Sequence, residues 1–235
     1  MPKPFDKWTV LPHSPIEAID DNILSVEGPL GKFPRRMTIV RITRQRLIIH
    51  SGIALDEPEM SRIESFGKPA FYIAPSALHR MDVKPWKQRY PELIVICPPN
   101  ARSKVEELVK VDTVEPDFDD PAVRYIPVAG TAQREGALIV DGPRGITLVL
   151  NDLFFNVRKQ PGIAGLLFAL VGVTGSEPKA PKLVLRKIAD DKSALRAQLE
   201  QWAKLADLKR IIVSHGAVIE DDPRGVLMRI AASMT

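Results

Sequence analysis

Apolar positions along this chain come in short runs separated by glycine, proline and charged residues, and most runs are too short for helices. ILSVEG, MTIVRI and RLIIHSG alternate in part between apolar and polar residues, with punctuation at Gly28-Pro29-Leu30-Gly31 and at Arg44-Gln45. They predict successive hairpins of an antiparallel sheet. Residues 1–22 are polar and proline-rich and predict an edge segment laid over the core. Asp56, followed by Pro58 and closed by Gly67, predicts a capped helix running to Phe66. The stretch Phe71 to Pro99 reads as strand, loop, helix, strand: FYIA, a break at Pro75, a loop ending in His79, a helical segment around Trp86 to Tyr90, then LIVIC. Asn100 is placed to cap a second helix, ARSKVEELVKV, whose Val105, Leu108 and Val109 share one face.

VRYIPVAG, GALIV and GITLVLND form another run of short strands, set off by Gly136 and by Asp141-Gly142-Pro143-Arg144-Gly145. Leu153 to Lys182 is the least regular region, rich in glycine, with LLFALVG predicted as a short helix inside it. Such a stretch lies over a site or forms a subunit contact, and residues 160–175 are the predicted surface of a homo-oligomer. Ser193 to Leu205 is the best amphipathic helix, with Leu195, Leu199, Trp202 and Leu205 recurring at helical spacing. It feeds the strand RIIVSHG, and a last helix runs from Asp222-Pro223 to Ser233. The order predicts one α/β domain over residues 1–235, with two mixed or antiparallel sheets between helical layers.

Composition narrows the function classes. Hydrophobic residues at 45% and charged residues at 26% fit a soluble globular protein, and the net charge of +4 is spread among acids, so a nucleic-acid face is not indicated. The N-terminus lacks an apolar signal region, and the longest apolar run, Ile163 to Val173, is too short to span a bilayer. Cys97 stands alone inside a predicted strand, which excludes an intrachain disulfide framework and suits a cytoplasmic location. No G-x-G-x-x-G, P-loop or paired-cysteine motif is present.

The chemistry left is in the histidines. Of four, His50, His79 and His215 end or closely follow apolar strands, and Asp152 follows ITLVLN. Polar residues at strand ends converge at one rim of a sheet, or simply hydrogen-bond loops there. Ser76 and Ser214 are nucleophile candidates by position, yet neither sits in a G-x-S-x-G elbow.

Taken in order, these residues resemble the metallo-β-lactamase fold. His79 matches the last histidine of that family's T-H-x-H-x-D-H loop, Asp152 its metal-bridging aspartate, and His215 its C-terminal histidine, while LIIHSG resembles its D-T/S-G strand end with His50 in place of aspartate. The chain is also similar to a metallo-hydrolase-like branch carrying RMTIVR, LHR, W-x-x-x-YPE and TLVLNDLFFN. The resemblance implies an αββα sandwich and, at the loop positions of the other ligands, places Ala74, Ser76 and Leu78. One metal position is thereby lost and dinuclear hydrolysis is not expected. What remains is either a hydrogen-bonded clamp without cofactor, in a protein that binds a small molecule or a protein partner, or a site for a single transition metal (zinc, iron or manganese) held by His79, Asp152 and His215 in a mononuclear hydrolase.

Overall fold

The computed structural model describes residues 3–30, 33–158 and 173–234. Six strands build the first sheet in chain order: β1 (Glu17–Asp20), β2 (Ile23–Leu30), β3 (Phe33–Ile42), β4 (Arg46–His50), β5 (Lys68–Ile73) and β6 (Ile94–Ile96). The first four pair antiparallel and the last three parallel, so the sheet is mixed. The second sheet holds β7 (Val123–Pro127), β8 (Gly136–Gly142), β9 (Gly145–Arg158), β10 (Thr174–Gly175) and β11 (Leu208–Gly216), with β9 antiparallel to β8 and parallel to both β10 and β11.

Both faces of each sheet are buried, which explains why strands such as MTIVRI show only partial alternation. On β3, Met37 and Ile39 face a core shared with helices α1 (Glu57–Phe66), α2 (Val83–Arg89) and α3 (Arg102–Val105). Val40 and Ile42, with the opposite orientation, join Leu138, Val149 and Ile212 of the second sheet. The far face of that sheet packs on α5 (Lys192–Ala203) and α6 (Pro223–Ala232), through Leu195, Leu199, Trp202, Leu227 and Ile230, with Ile188 of α4 (Lys182–Ile188) at the margin. The layers are therefore helix, sheet, sheet, helix, with two mixed sheets between helical layers as expected. A buried ionic knot ties the layers, as Asp20 accepts from Arg210 at 2.5 Å and from Arg144 at 2.9 Å.

Local signals hold where they depend on neighbours in sequence. Asp56 accepts from the Glu59 amide at the head of α1, and Asp191 and Asp222 cap α5 and α6 in the same way. Arg44 and Gln45 turn with positive φ, as a hairpin connection requires.

Three expectations need correction. Gly28 to Leu30 is not a turn: β2 continues, with Gly28 opposite Arg35 and Pro29 opposite Pro34. The β1 ladder ends at Ser25, so Pro29 forfeits no bond on that side. The helix expected from Asn100 is reduced to a 3-10 turn and the single turn of α3, and the Asn100 side chain donates through Nδ2 to the Ala132 carbonyl instead of capping it. Asp112 captures the chain there, accepting from the Val95 amide at 2.9 Å while its own amide donates to Val95. Leu153 to Arg158 is strand, not irregular chain, and Lys182 opens a helix. The expected LLFALVG helix and most of the expected contact surface at 160–175 lie outside the described residues. Among the described residues, no helix is long and apolar enough to cross a membrane.

Candidate metal centre

A break in strand pairing makes the site. Along the β9–β11 ladder Val213 pairs with Leu150, but His215 pairs with Phe155. Ser214 alone on β11 therefore faces Asn151 to Phe154 on β9, a bulge that pushes Asp152 out of register. Ser214 points the other way from His215 and donates to Asn151 Oδ1 at 2.8 Å. Asn151 in turn donates to Glu135 Oε2 at 3.0 Å, and the Asp152 amide donates to the same oxygen at 3.4 Å. This buried set holds the bulge in shape. At the end of β11, Gly216 has φ +101, and an added Cβ would meet the Asn156 carbonyl at 2.1 Å, so only glycine fits beside His215.

His79 comes from the other sheet, on the loop after β5. Ser76 shapes that loop by accepting from the amides of Leu78 and His79 at 3.2 and 3.4 Å. Its hydroxyl oxygen caps the turn. Ser51, after β4, has φ 55 and sets its hydroxyl 2.9 Å from His79 Nδ1. Gly52 follows because a Cβ there would lie 2.5 Å from the Tyr72 ring. Ser51 and Glu135 were not singled out from the sequence. The S-G pair was visible, but neither its approach to His79 nor the approach of Glu135 to the bulge has a local signal.

Three side chains converge as expected. His215 Nε2 lies 3.0 Å and His79 Nε2 3.2 Å from Asp152 Oδ1, and the two nitrogens are 3.3 Å apart. All three residues are buried, and among the described residues they are the one group of histidine, cysteine and acidic side chains disposed to hold an ion. His215 Nδ1 is 2.7 Å from the Pro34 carbonyl, which can only accept, so that nitrogen carries the hydrogen. Its Nε2 then turns toward Asp152. Burial pulls His215 downward, but its bond to Asp152, that residue's charge and the Pro34 carbonyl outweigh it and shift the group up. Burial acts on Asp152 in the raising direction, yet the charge of His79 and the bonds from both histidines hold its carboxyl well below the usual range. Glu135 moves the opposite way, pushed up by burial and then by the neighbouring Asp152 charge, so the carboxylate that ionises first is the one in the trio.

His50 is not part of the cluster. It is fully buried behind it, its Nε2 has no hydrogen-bond partner, and burial followed by the charge of His79 depresses it to about 3. Above the trio lies a hollow of about 300 Å³ with apolar walls that include Leu78, Met81, Phe155, Leu183, Val184 and Ile188, while Arg35 and Lys187 also line it. Arg35 is buried and paired with Asp82.

No protein-family model matches the sequence, and no curated protein matches it. The structure, by contrast, is similar to solved metallo-beta-lactamases. FIM-1 from Pseudomonas aeruginosa, in its mono-zinc form, superimposes with a TM-score of 0.60 at 13% identity, over 95% of this chain and 96% of that one. DIM-1 exposed to ceftazidime gives 0.61 at 12% identity, over 97% and 100%. TMB-1 gives 0.59 at 11% identity, over 93% and 96%. This chain thus has the metallo-β-lactamase fold.

Proposed function

We infer that the protein is a mononuclear metal-dependent hydrolase, with no dinuclear activity. The observation that carries this reading is the convergence of three side chains, each able to present one ligand atom to a common point. With Nδ1 of His215 committed to Pro34, neutral His215 aims a lone pair at the Asp152 carboxylate from 3.0 Å, and His79 Nε2 closes the triangle. Such an arrangement suits a cation at its centre. Two imidazoles and a carboxylate suit zinc, iron or manganese, and bonds of about 2.0–2.1 Å in a tetrahedral zinc site separate ligand atoms by roughly 3.3 Å. The observed triangle of 3.0 to 3.3 Å fits that set.

A metal bound there supplies Lewis acidity and lowers the pKa of its water toward neutrality. This chain's residues do the rest. The Pro34 carbonyl fixes the tautomer and plane of His215, the Ser51 hydroxyl holds the His79 ring in orientation, and the hydrogen-bonded bulge keeps Asp152 in place. Apolar walls exclude bulk water from the hollow and favour a substrate with an apolar part at the scissile ester or amide. Ala74 and Ser76, at loop positions where the resemblance expects histidines, offer nothing for a second ion, and the Ser76 hydroxyl is already engaged with backbone.

A second reading has its own support. The upward shift of His215 favours a proton as the cation, which would make the trio a hydrogen-bonded clamp. Elemental analysis of protein purified without added metal or chelator separates the readings. One tightly bound transition-metal ion per chain is expected; none, after incubation with zinc, iron and manganese in turn, leaves the clamp, and two would overturn the mononuclear site.

A further inference from the structure

A second hollow, of about 660 Å³, opens on the other side of α4. Lys179, Lys182, Arg186 and Arg229 line it, and Glu177 is its one acidic lining residue. Arg229 reaches Asp222 at 3.3 Å with both side chains largely exposed, a weak surface pair. Lys179, Lys182 and Arg186 have no acidic partner within ion-pair distance among the described residues, whereas most other cationic clusters of this surface are interleaved with acids, as Arg89 is with Glu57 and Glu64. Lys182 and Arg186 are four apart on α4 and so share a face.

The two hollows are neighbours by construction. Leu183 lines both. On the trio side Leu183 is followed by Val184, Lys187 and Ile188, so α4 is a common wall whose flank toward the trio is mainly apolar, with Lys187 its one cation, and whose other flank presents Lys182 and Arg186. Lys179 is tied to the centre through its backbone: its amide donates to the Phe155 carbonyl at 3.1 Å, and the Phe155 amide donates to its carbonyl at 2.9 Å. The Phe155 ring lines the trio hollow, 4.5 Å from the His215 ring. Leu78 and Leu183, exposed by 44% and 52%, border the trio hollow with uncovered apolar surface.

We propose that the cleft of Lys179, Lys182, Arg186 and Arg229 is a phosphate-binding subsite, and that the substrate has two parts: an apolar acyl group lodged over the trio and a phosphate-bearing carrier crossing Leu183 into the cleft. Charge complementarity selects the anion, and lysine and arginine ammonium and guanidinium groups are the usual partners of phosphate oxygens. The apolar hollow selects the other end. The inference rests on the hydrolase reading for what happens at the trio, but the binding it predicts does not depend on a metal.

The test is a calorimetric titration of chelator-treated protein with three probes: octanoyl-coenzyme A, coenzyme A and octanoate. Octanoyl-coenzyme A should bind more tightly than either part, with affinity falling as salt rises. Exchange of both Lys182→Glu and Arg186→Glu, at exposed positions, should weaken the two coenzyme-A probes by about tenfold or more, because two charge-assisted contacts are lost, and leave octanoate unchanged. Leu78→Asp should do the reverse, weakening octanoate and octanoyl-coenzyme A only. Unchanged affinity in the charge-reversal variant, or equal weakening of all three probes, overturns the proposal. So does tighter binding of a single-stranded oligonucleotide than of octanoyl-coenzyme A at the same salt. Two-part binding without any turnover of the metal-loaded protein would instead sink the hydrolase reading and leave the subsite standing.

Discussion

His215, on the last strand of the second sheet, donates through Nδ1 to the carbonyl of Pro34 on the first, at 2.7 Å. This bond crosses the sandwich and dictates which nitrogen faces Asp152. Pro34 has no side-chain polarity, so its part in the site is played by the backbone, held where β3 meets β2.

Metal binding should therefore register as stability. With free zinc about a hundredfold above its dissociation constant, wild-type protein should gain about 2.7 kcal/mol, a rise in melting temperature of roughly 5–10 °C for a chain of this size. In His79→Ala the rise should vanish, since three ligands leave none redundant. Paired melting curves in excess zinc and in chelator check this. A cost to the variant of about 1–3 kcal/mol in both conditions, with no zinc response in the wild type, would establish the clamp.

Ser51→Ala tests how His79 is aimed. Loss of the hydroxyl at Nδ1 should weaken zinc binding by about tenfold or more while changing the chelator melting curve little, as expected of a group that orients a ligand. An unchanged zinc affinity would show that the loop alone orients the ring.

The buried His50 sets a pH dependence. Its folded pKa of about 3 lies below the ordinary 6.5, so between these values the unfolded chain binds the extra proton. Stability from this group is complete above about pH 6.5 and is lost as pH falls toward 3, by up to about 1.4 kcal/mol per unit. His50→Phe removes the titration, and the acid side of its stability curve should be flatter than that of the wild type. Urea unfolding at intervals from pH 7 to pH 4 reads the difference directly, and parallel curves would refute it.

Asp20→Asn should be severe. Arg210, almost fully buried, would lose its buried carboxylate partner and keep only the largely exposed Glu220 at 3.6 Å, and breaking a buried pair by removing one member costs about 3–5 kcal/mol. Exchanging Arg144, which is half exposed, for alanine should cost no more than about 1 kcal/mol by the same denaturant measurement.

Much of this architecture could be read before any coordinates. Hairpins and helix caps depend on residues a few positions apart, and Asp56, Asp222 and the Leu195–Leu199–Trp202 stripe behave as their spacing implies. The trio is legible from strand-end placement taken together with the order of the motifs that carry the family resemblance. What escaped depends on contacts distant in sequence. Asp112 takes the Val95 amide, and the helix that local propensity would continue stops seven residues earlier, at Val105. Glu135 sits inside an apolar interior because Asn151 and the Asp152 amide meet it there, and Ser51 gains its importance from a histidine 28 positions away. His50 stood at a strand end like its two partners, but its side chain is buried behind the site.

The trio takes one member from the chain before β7 and two from the chain after it, with 136 residues separating His79 from His215. In the intact chain, closing that long loop is part of the cost of folding, so an ion bound across it, as proposed, would add to a stability already present. Cut the chain in the connection between β6 and β7, and the arithmetic changes character. The two pieces become partners whose association consumes translational freedom, and on the proposed metal reading the free metal concentration would become a dial on how strongly they recombine. A clasp that merely reinforces one continuous chain would then act as the glue of a two-component assembly, with chelator as its release.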